Sequence, residues 1–235
     1  MNSLTKETIH IVAIILARGG SKAIPRKNLK LLGGKPLLAW PVELAKSIPA
    51  INRVIVSSDD KEIIETAKKY GAEAPFVRPA NLSGDDVPTL PVLQHAVKYF
   101  TEQERYAVDI VLLLYPTTPF MRRERVIEGI QYLQRDGYDS VVGVQTVRTP
   151  VWKFSKKKGQ YVPFYPKVRV NRQHMKHLYQ EAGNIYFTKA NVLVEQNKLI
   201  NEEKCAFIQV DNDETLDIDT IKDFHVAEER IQKGI

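Results

Sequence analysis

The chain has 235 residues, a formal net charge of +6 and a single cysteine, Cys205. Its 43% hydrophobic and 26% charged residues are ordinary for a globular protein with a sizeable core. One cysteine excludes an internal disulfide framework and a cysteine-based zinc site, which indicates a reducing compartment. The apolar run Ile11–Ala17 is too short to span a membrane, and no signal-peptide core precedes it. We therefore predict a soluble, cytoplasmic protein without a membrane partner.

Short apolar runs alternate with amphipathic stretches, which predicts βαβ units and a largely parallel sheet. The predicted strands are Ile9–Ala17, Arg53–Ser57, Ile110–Leu114, Ser140–Gln145, Asn184–Thr188 and Ala206–Val210. The predicted helices, which have apolar residues three and four apart, are Pro36–Ser47, Lys61–Tyr70, Thr89–Phe100, Arg122–Arg135 and Thr220–Gln232. We expect a doubly wound α/β fold of three layers, formed by residues 1–235 as one domain.

Several helix boundaries carry local signals. A capping-box pattern begins at Asp59, and Gly71 follows the helix that it would start. Thr118 precedes a proline and is predicted to cap the next helix, whose end lies near Gly137.

Residues 146–182 interrupt this alternation with a basic, aromatic and proline-containing segment. A segment of this length is either functional or a lobe that packs on another chain. The lysines at 156–158 are interpreted as a solvated hairpin turn. The aromatic side chains form either a small core beneath the lobe or a protein interface; they are Trp152, Phe154, Tyr161, Phe164, Tyr165 and Tyr179.

A basic loop directly follows the first predicted strand, where a ligand of an α/β sheet usually binds. Its cations are Arg18, Lys22, Arg26, Lys27 and Lys30. The two glycines at 19–20 allow close backbone approach, and successive amides can bind an anion. The G-x-G-x-x-G and G-x-x-x-x-G-K-[ST] patterns are absent, which argues against a Rossmann dehydrogenase and a P-loop NTPase. The loop is predicted to bind phosphate; an exposed basic turn is the alternative.

Two carboxylates lie two residues apart near the C-terminus, at Asp217 and Asp219. In extended backbone both point to the same side and can share one metal ion. Magnesium accepts one or two carboxylates together with substrate phosphates. Asp219 could instead cap the final helix. A similar pair, Asp211 and Asp213, falls in a predicted turn and is interpreted as solvated.

Five segments, in this order, resemble the acylneuraminate cytidylyltransferases, the CMP-sialic acid synthetase family. They are "LARGGSKAIPRKN", "VIVSSDD", "VRPANLSGDD", "LLLYPTTPFMR" and "TLDIDTIKDF". The resemblance implies a nucleotide-diphospho-sugar transferase-like fold with a small dimerisation lobe, and a homodimer. It also implies the reaction: the anomeric hydroxyl of a nine-carbon 2-keto sugar acid attacks the α-phosphate of CTP, and pyrophosphate leaves.

The same resemblance implies roles for individual residues. It implies that the nucleotide contacts Ala17, Arg18, Gly19, Ser21, Lys22, Lys27, Asn28, Arg78, Ser83 and Asp85. The implied catalytic residues are Arg18, Lys22, Asp217 and Asp219, with the two aspartates as ligands of Mg²⁺. Lys22 would neutralise charge on the leaving pyrophosphate. No histidine is placed as a general base, and the spacing of His174 and His177 lacks a third metal ligand.

The sugar-binding residues are predicted to be Tyr115, Lys153, Arg172 and Gln180. Gln180 stands where the family has a second arginine, Ala182 where it has an asparagine, and Tyr115 where it has a glutamine. These departures cluster on the sugar side, so legionaminic and pseudaminic acids are candidates beside N-acetylneuraminate.

Two alternatives stay open. One is a cytidylyltransferase for another sugar acid such as KDO, against which the "PRKN" insertion at 25–28 argues. The other is a non-catalytic nucleotide- or RNA-binding module. We expect no nucleic-acid partner, because RNA-stacking aromatics usually lie on strands, whereas these lie in a segment with no clear period.

Overall fold

A computed structural model describes residues 9–147, 149–168, 171–174 and 178–234. Within these ranges the strands are β1 (Ile11–Leu16), β2 (Leu31–Leu32), β3 (Lys35–Pro36), β4 (Arg53–Ser57), β5 (Ile110–Leu114), β6 (Ser140–Val147), β7 (Val151–Ser155), β8 (Gln160–Tyr165), β9 (Leu178–Lys189) and β10 (Cys205–Gln209). The α-helices are α1 (Ala39–Lys46), α2 (Lys61–Lys69), α3 (Thr89–Gln103), α4 (Arg123–Arg135), α5 (Ala190–Val194) and α6 (Ile221–Gln232). None of the helices in the described ranges is long and apolar enough to cross a membrane.

The central sheet has six strands in the order β10-β6-β9-β5-β1-β4. β1 pairs in parallel with β4 and β5, and β10 pairs in parallel with β6, whereas β9 is antiparallel to both of its neighbours. Helices α1, α2 and α4 pack on one face, and α3 with α5 on the other. The predicted three-layer, mostly parallel α/β fold is confirmed.

The first strand lies at the centre of this core. Residues 11–15 of β1 are completely buried, because a strand covered by helices on both faces needs an apolar side chain at every position. β1 is held between β4 and β5, so its carboxyl end and the basic loop that follows are fixed by the sheet.

Residues 146–182 differ from the sequence-based prediction. β7 and β8 form an antiparallel hairpin, and β9 begins at Leu178 instead of the predicted Asn184. Most side chains of this hairpin are exposed, so buried and exposed residues do not alternate along its strands. The sequence therefore has no period that would reveal the strands. The interpretation of the three lysines is confirmed, since residues 156–159 form the turn of the hairpin.

The start of α2 also differs from the prediction. Asp60, not Asp59, is its N-cap, and Oδ1 of Asp60 accepts the amides of Glu62 and Ile63 at 2.9 and 3.0 Å. Asp59 instead accepts the amide of Gly19 at 3.0 Å. The carboxylate that resembles a cap therefore holds the basic loop.

The predicted cap of α4 is wrong as well. The helix begins at Arg123, and the hydroxyl of Thr118 donates to the carbonyl of Tyr115 at 3.3 Å. Thr118 thus stabilises the turn after β5. The predicted helix ends are confirmed at Gly71 and Gly137, whose φ angles of 85° and 70° are readily adopted only by glycine.

Gly129 of α4 is predicted to be intolerant of any side chain. A Cβ atom there would lie 2.2 Å from the ring of Phe187 on β9. Alanine is favoured over glycine in a helix by about 1 kcal/mol, but overpacking a core typically costs about 1–3 kcal/mol, and this contact is severe. We expect Gly129→Ala to lower the free energy of unfolding by about 2 kcal/mol, measured by urea denaturation. Gly20→Ala, whose Cβ would meet no atom within 4 Å, is the control; equal midpoints for both variants would contradict the prediction.

Candidate active site

A cleft of about 220 Å³ opens at the carboxyl ends of β1 and β5. It is lined by parts of the basic loop, by the turn after β5, and by Arg78, Leu82, Gly84, Asp85, Val87 and Thr89. Predicted site residues that the structure brings together in this cleft are Arg18, Ser21, Lys27, Asn28, Arg78, Asp85 and Tyr115. Their convergence from separate parts of the chain is typical of a ligand site beyond the ends of parallel strands.

The basic loop is shaped by hydrogen bonds from within. Asn28 is 7% exposed, and its Nδ2 donates to the carbonyl of Arg18 at 2.9 Å. The amide of Ala17 donates to Ser57 at 3.1 Å, which continues the pairing beyond β1. Arg26 pairs with Asp60 at the start of α2. Asn28 and Ala17 therefore position the loop backbone, and Arg26 anchors it to α2.

Asp85 lies against the two cations at the entrance of the cleft. Its carboxylate forms ion pairs with both Arg18 and Lys22. The side chain of Lys22 is 85% exposed, so this lysine lies at the edge of the site. A bound anion that used both cations would have to compete with Asp85.

Arg78 places a buried positive charge in the wall of the cleft. It is 5% exposed, and its guanidinium donates to the hydroxyl of Ser57 at 3.1 Å and to the carbonyl of the same residue. Within the described ranges it forms no ion pair. Burial lowers the pKa of Arg78 to about 10, aided by the charge of Arg18 and opposed by that of Asp59. Arg78 is still charged at neutral pH and attracts an anion.

Asp217 and Asp219 flank Ile218 on the segment between β10 and α6. The amide of Ile218 donates to the carbonyl of Thr117 at 2.8 Å, which fixes the segment against the turn after β5. Nζ of Lys27 donates to the carbonyl of Ile218 at 2.7 Å and lies 3.1 Å from Oδ1 of Asp219. Lys27, with a side chain only 13% exposed, thus joins the basic loop to the carboxylate pair.

The electrostatics of this pair favour a cation. Removal of water by the surrounding protein raises the pKa of Asp217, as do the charges of Asp219 and Asp223. A hydrogen bond from Thr117 and the charge of Lys27 act in the opposite direction. The N-cap of α6 is Thr220 in a capping box with Asp223, so the carboxylate of Asp219 does not serve as a cap.

The remaining predicted residues lie outside the cleft lining. The hydroxyl of Ser83 donates to Pro79 at 3.0 Å. Lys153 lies on the β7–β8 hairpin with Nζ 5.4 Å from the ring centre of Phe164. Gln180 is exposed on β9. The side chain of Arg172 and all of His177 lie outside the described part of the chain.

The prediction that Asp211 and Asp213 are solvated residues of a turn is confirmed in part: their side chains are 58% and 40% exposed, but both also form ion pairs. Arg122 pairs with both, at 3.0 Å in the case of Asp211. Nε of Arg125 pairs at 3.1 Å with Glu214, which is fully buried. The carboxylates of Asp211, Asp213 and Glu214 lie within 4.8 Å of one another. No other group of three carboxylate, histidine or cysteine side chains among the described residues is this close. Arg122 and Arg125 neutralise this group. Their ion pairs also hold in place the segment that leads to Asp217 and Asp219.

Sequence reasoning missed two threonines of the site. Thr117 binds the carboxylate segment through its carbonyl and its hydroxyl. Oγ1 of Thr89 lies 3.2 Å from the hydroxyl of Tyr115. Only Thr117 carried a signal, since it lies in the turn that follows a buried strand, three residues after Leu114.

The family model and the relatives that match this chain agree with one another in the activity for which they are named. A family model described as cytidylyltransferase matches residues 12–233. The pseudaminic acid cytidylyltransferase of Campylobacter jejuni is 33% identical over 92% of this chain and 94% of its own. The CMP-N,N'-diacetyllegionaminic acid synthase of Legionella pneumophila is 30% identical over 95% and 97% of the two chains. The N-acylneuraminate cytidylyltransferase A of Danio rerio is 33% identical over 96% of this chain and 52% of its own.

Solved structures support the fold. A CMP:2-keto-3-deoxy-manno-octonic acid synthetase complexed with CTP superposes with a TM-score of 0.71 at 18% identity, over 96% of this chain and 100% of that chain. The 4-diphosphocytidyl-2C-methyl-D-erythritol synthase of Anaerococcus prevotii superposes with a TM-score of 0.68 at 17% identity, over 96% and 100% of the two chains.

Proposed function

The chain belongs to the cytidylyltransferase family, and we propose that it transfers CMP from CTP to the anomeric hydroxyl of a nine-carbon 2-keto sugar acid. Pyrophosphate is the second product. The observation that carries this proposal is the pair of contacts made by Nζ of Lys27 with Ile218 and Asp219. These contacts join the basic loop to the Asp217–Asp219 pair. Family membership makes the chain a nucleotidyltransferase; the sugar acid is the proposed part.

The basic loop would hold the triphosphate. Transfer to the α-phosphorus depends on positioning and on neutralising charge, with little covalent participation by the protein. The depth of Lys27 suits it to the reacting phosphate, whereas Arg18 and Lys22 at the entrance suit the leaving pyrophosphate. The amide of Gly20 would add an uncharged donor, whereas the amide of Gly19 already donates to Asp59.

We further propose that Asp217 and Asp219 hold Mg²⁺. The residues fit this ion, because two carboxylates whose negative charges repel each other lie beside the place proposed for the phosphates. A bound cation would relieve this repulsion. When bound, the ion would neutralise phosphate oxygens and lower the pKa of the attacking hydroxyl. The hydrogen bond from Thr117 would keep the carboxylate of Asp217 oriented.

The acceptor is proposed to be an N-acylated nine-carbon acid. Three relatives at about this level of identity are named for pseudaminic, N,N'-diacetyllegionaminic and N-acylneuraminic acids. The structure named for an octonic acid is only 18% identical and supports the fold alone.

Pyrophosphate release tests the proposed function. The purified protein receives CTP and Mg²⁺ with N-acetylneuraminate, N,N'-diacetyllegionaminate, pseudaminate or KDO, and UTP replaces CTP in a matched series. We expect release with CTP and at least one nine-carbon acid. Release with KDO alone would overturn the proposed acceptor. Absence of both release and CTP binding, in folded protein, would overturn the enzymatic proposal.

The RNA-binding alternative loses one of the arguments made against it, because the lobe aromatics do lie on strands β7 and β8. The Asp217–Asp219 pair opposes it instead, since carboxylates repel a phosphate backbone. Family membership also favours the enzyme.

We propose that the exposed aromatics of the β7–β8 hairpin pack on a second copy of the chain. Trp152, Phe154, Tyr161 and Phe164 are 51%, 54%, 72% and 50% exposed. Such aromatic patches are typical of protein interfaces. Light scattering is expected to give twice the 26.8 kDa chain mass; a monomer at micromolar concentration would contradict the dimer.

We also propose that the protein is cytoplasmic, because a single cysteine suits a protein of a reducing compartment.

Asp85→Asn is expected to tighten the binding of pyrophosphate, because Asp85 occupies the cations that the phosphates need. An exposed ion pair is worth up to about 1 kcal/mol, which corresponds to roughly fivefold in affinity at low salt. Pyrophosphate lacks a ribose, so calorimetry with this ligand isolates the competition. The neighbouring Asp86→Asn is the control. Weaker binding by Asp85→Asn alone would show that Asp85 assists the phosphates.

A further inference from the structure

Polar side chains continue from the cleft across the face of the sheet that α3 covers. Tyr115 lines the cleft beside Thr89. Tyr186, on the neighbouring strand β9, packs in the same cluster as Tyr115. Its hydroxyl donates to Oε2 of Glu181 at 3.0 Å. Tyr115 and Tyr186 thus share one packed cluster, and Tyr186 links this cluster to the exposed carboxylate of Glu181.

The pairing of β9 explains why Glu181 lies beside Tyr186. Residues five apart on a regular strand point to opposite faces. Here Tyr186 is opposite Val142 of β6 and Glu181 is opposite Val144, and the pairing between them is irregular. Val142 and Val144 are two apart and share the α3 face, so their partners share it too. The extra residues of β9 include Gly183, whose φ of 72° suits glycine.

Among the described residues, only the hydroxyl of Tyr186 donates to the carboxylate of Glu181. It forms no ion pair with any residue in the described ranges, and its side chain is exposed. Burial raises the pKa of Tyr186, and the charge of Glu181 raises it further, so the hydroxyl remains a donor. Oε2 accepts this hydroxyl, and no residue in the described ranges donates to Oε1, which can accept a hydrogen bond from a ligand.

We propose that Glu181, supported by Tyr186, accepts a hydrogen bond from the N–H of an acylamino group on the sugar acid. This inference rests on the proposed function. A carboxylate only accepts, so its partner must carry a donor, and it repels the substrate's own carboxylate. The ring of Tyr115, which lines the cleft, offers apolar surface for the acyl methyl group. Glu181 therefore orients the acid with an acylamino group toward β9 and the carboxylate away from it.

The test is a cycle between enzyme and substrate. The best N-acylated acid is compared with its analogue in which an ester oxygen replaces the acylamino nitrogen, so that the donor is lost and the shape is kept. Wild type is expected to prefer the N-acyl acid by about 10- to 100-fold in kcat/KM, the effect of one hydrogen bond to a charged group. Glu181→Ala is expected to reduce that preference to less than about threefold by removing this bond, with KM for CTP unchanged. Glu203→Gln, at an exposed glutamate elsewhere, is the control and keeps the wild-type preference.

Two results would overturn the inference while leaving the proposed function intact. One is an undiminished preference in Glu181→Ala. The other is an equal loss with both substrates together with weaker CTP binding, which indicates a structural role. Failure of the wild type to use any N-acylated acid would overturn both proposals. Tyr186→Phe adds a second readout, since loss of the positioning hydroxyl is expected to lower the preference partly while CTP binding is kept.

Discussion

Asp217→Asn is expected to lower the rate of pyrophosphate release by about 1000-fold, the upper range for loss of one charge-stabilising group. Asparagine keeps the size and the hydrogen bond with Thr117 but loses the charge proposed to bind Mg²⁺. The rate is measured at saturating CTP over a range of magnesium concentrations. Excess magnesium is not expected to restore it, because the ligand itself is missing.

A folding control accompanies this prediction. The environment of Asp217 disfavours its charge, so Asp217→Asn is expected to leave the melting temperature of the metal-free protein unchanged or slightly higher. Asp136→Asn, at an exposed position after α4, is the matched control and should retain full activity. Asp217→Asn protein that melts normally and retains more than a tenth of the rate would contradict the assigned role.

Lys27→Met is expected to lower kcat by about 100- to 1000-fold, since a preorganised cation near a transferring phosphate has effects of this size. Methionine keeps the length of the side chain and loses two contacts, with the carbonyl of Ile218 and the carboxylate of Asp219. The substitution therefore removes the proposed phosphate contact and releases the segment proposed to hold Mg²⁺. Rapid-quench measurement of the first turnover separates this effect from product release.

The control for Lys27 is Lys61→Met, an exposed lysine at the start of α2. Lys22→Met is a useful comparison, because Lys22 is largely exposed and paired with Asp85. We expect Lys22→Met to raise KM for CTP more than it lowers kcat. A larger loss of kcat in Lys22→Met than in Lys27→Met would reverse the roles assigned to the two lysines.

The buried strands could be predicted because a short, continuous apolar run between polar turns is typical of a strand covered on both faces. The bounds of β4 and β5 are as predicted, since each is a short apolar run that both faces of the sheet require. The length of β9 could not be predicted. Its first half pairs with β6 through an irregularity, and such a register depends on a strand more than thirty residues earlier rather than on local sequence.

The exchanged roles of Asp59 and Asp60 show the same limit at the level of one residue. Both are acidic, and either could cap α2 by local rules. Asp59 binds the amide of Gly19, forty positions away along the chain, and this leaves Asp60 as the cap. Local sequence carries no information about that amide.

In the candidate site, residue identities could be predicted but their depths could not. The sequence placed Lys22 and Lys27 in one loop, and only the fold distinguishes the exposed lysine from the buried one. The ion pairs of Asp211 and Asp213 could not be predicted, because their partners Arg122 and Arg125 lie at the start of α4, far earlier in the chain. Glu181 could not be singled out from the sequence, because its proposed role depends on the irregular pairing of β9.

The central claim is that a sugar hydroxyl attacks the α-phosphorus of CTP. The most direct measurement uses the accepted sugar acid with ¹⁸O at its anomeric hydroxyl and follows the product by ³¹P NMR. Attack by that oxygen forms the new P–O bond and breaks the bond to pyrophosphate. We expect ¹⁸O in the bridge between CMP and the sugar, with one pyrophosphate per product. A bridge without the label, or pyrophosphate formed without a CMP-sugar, would contradict it.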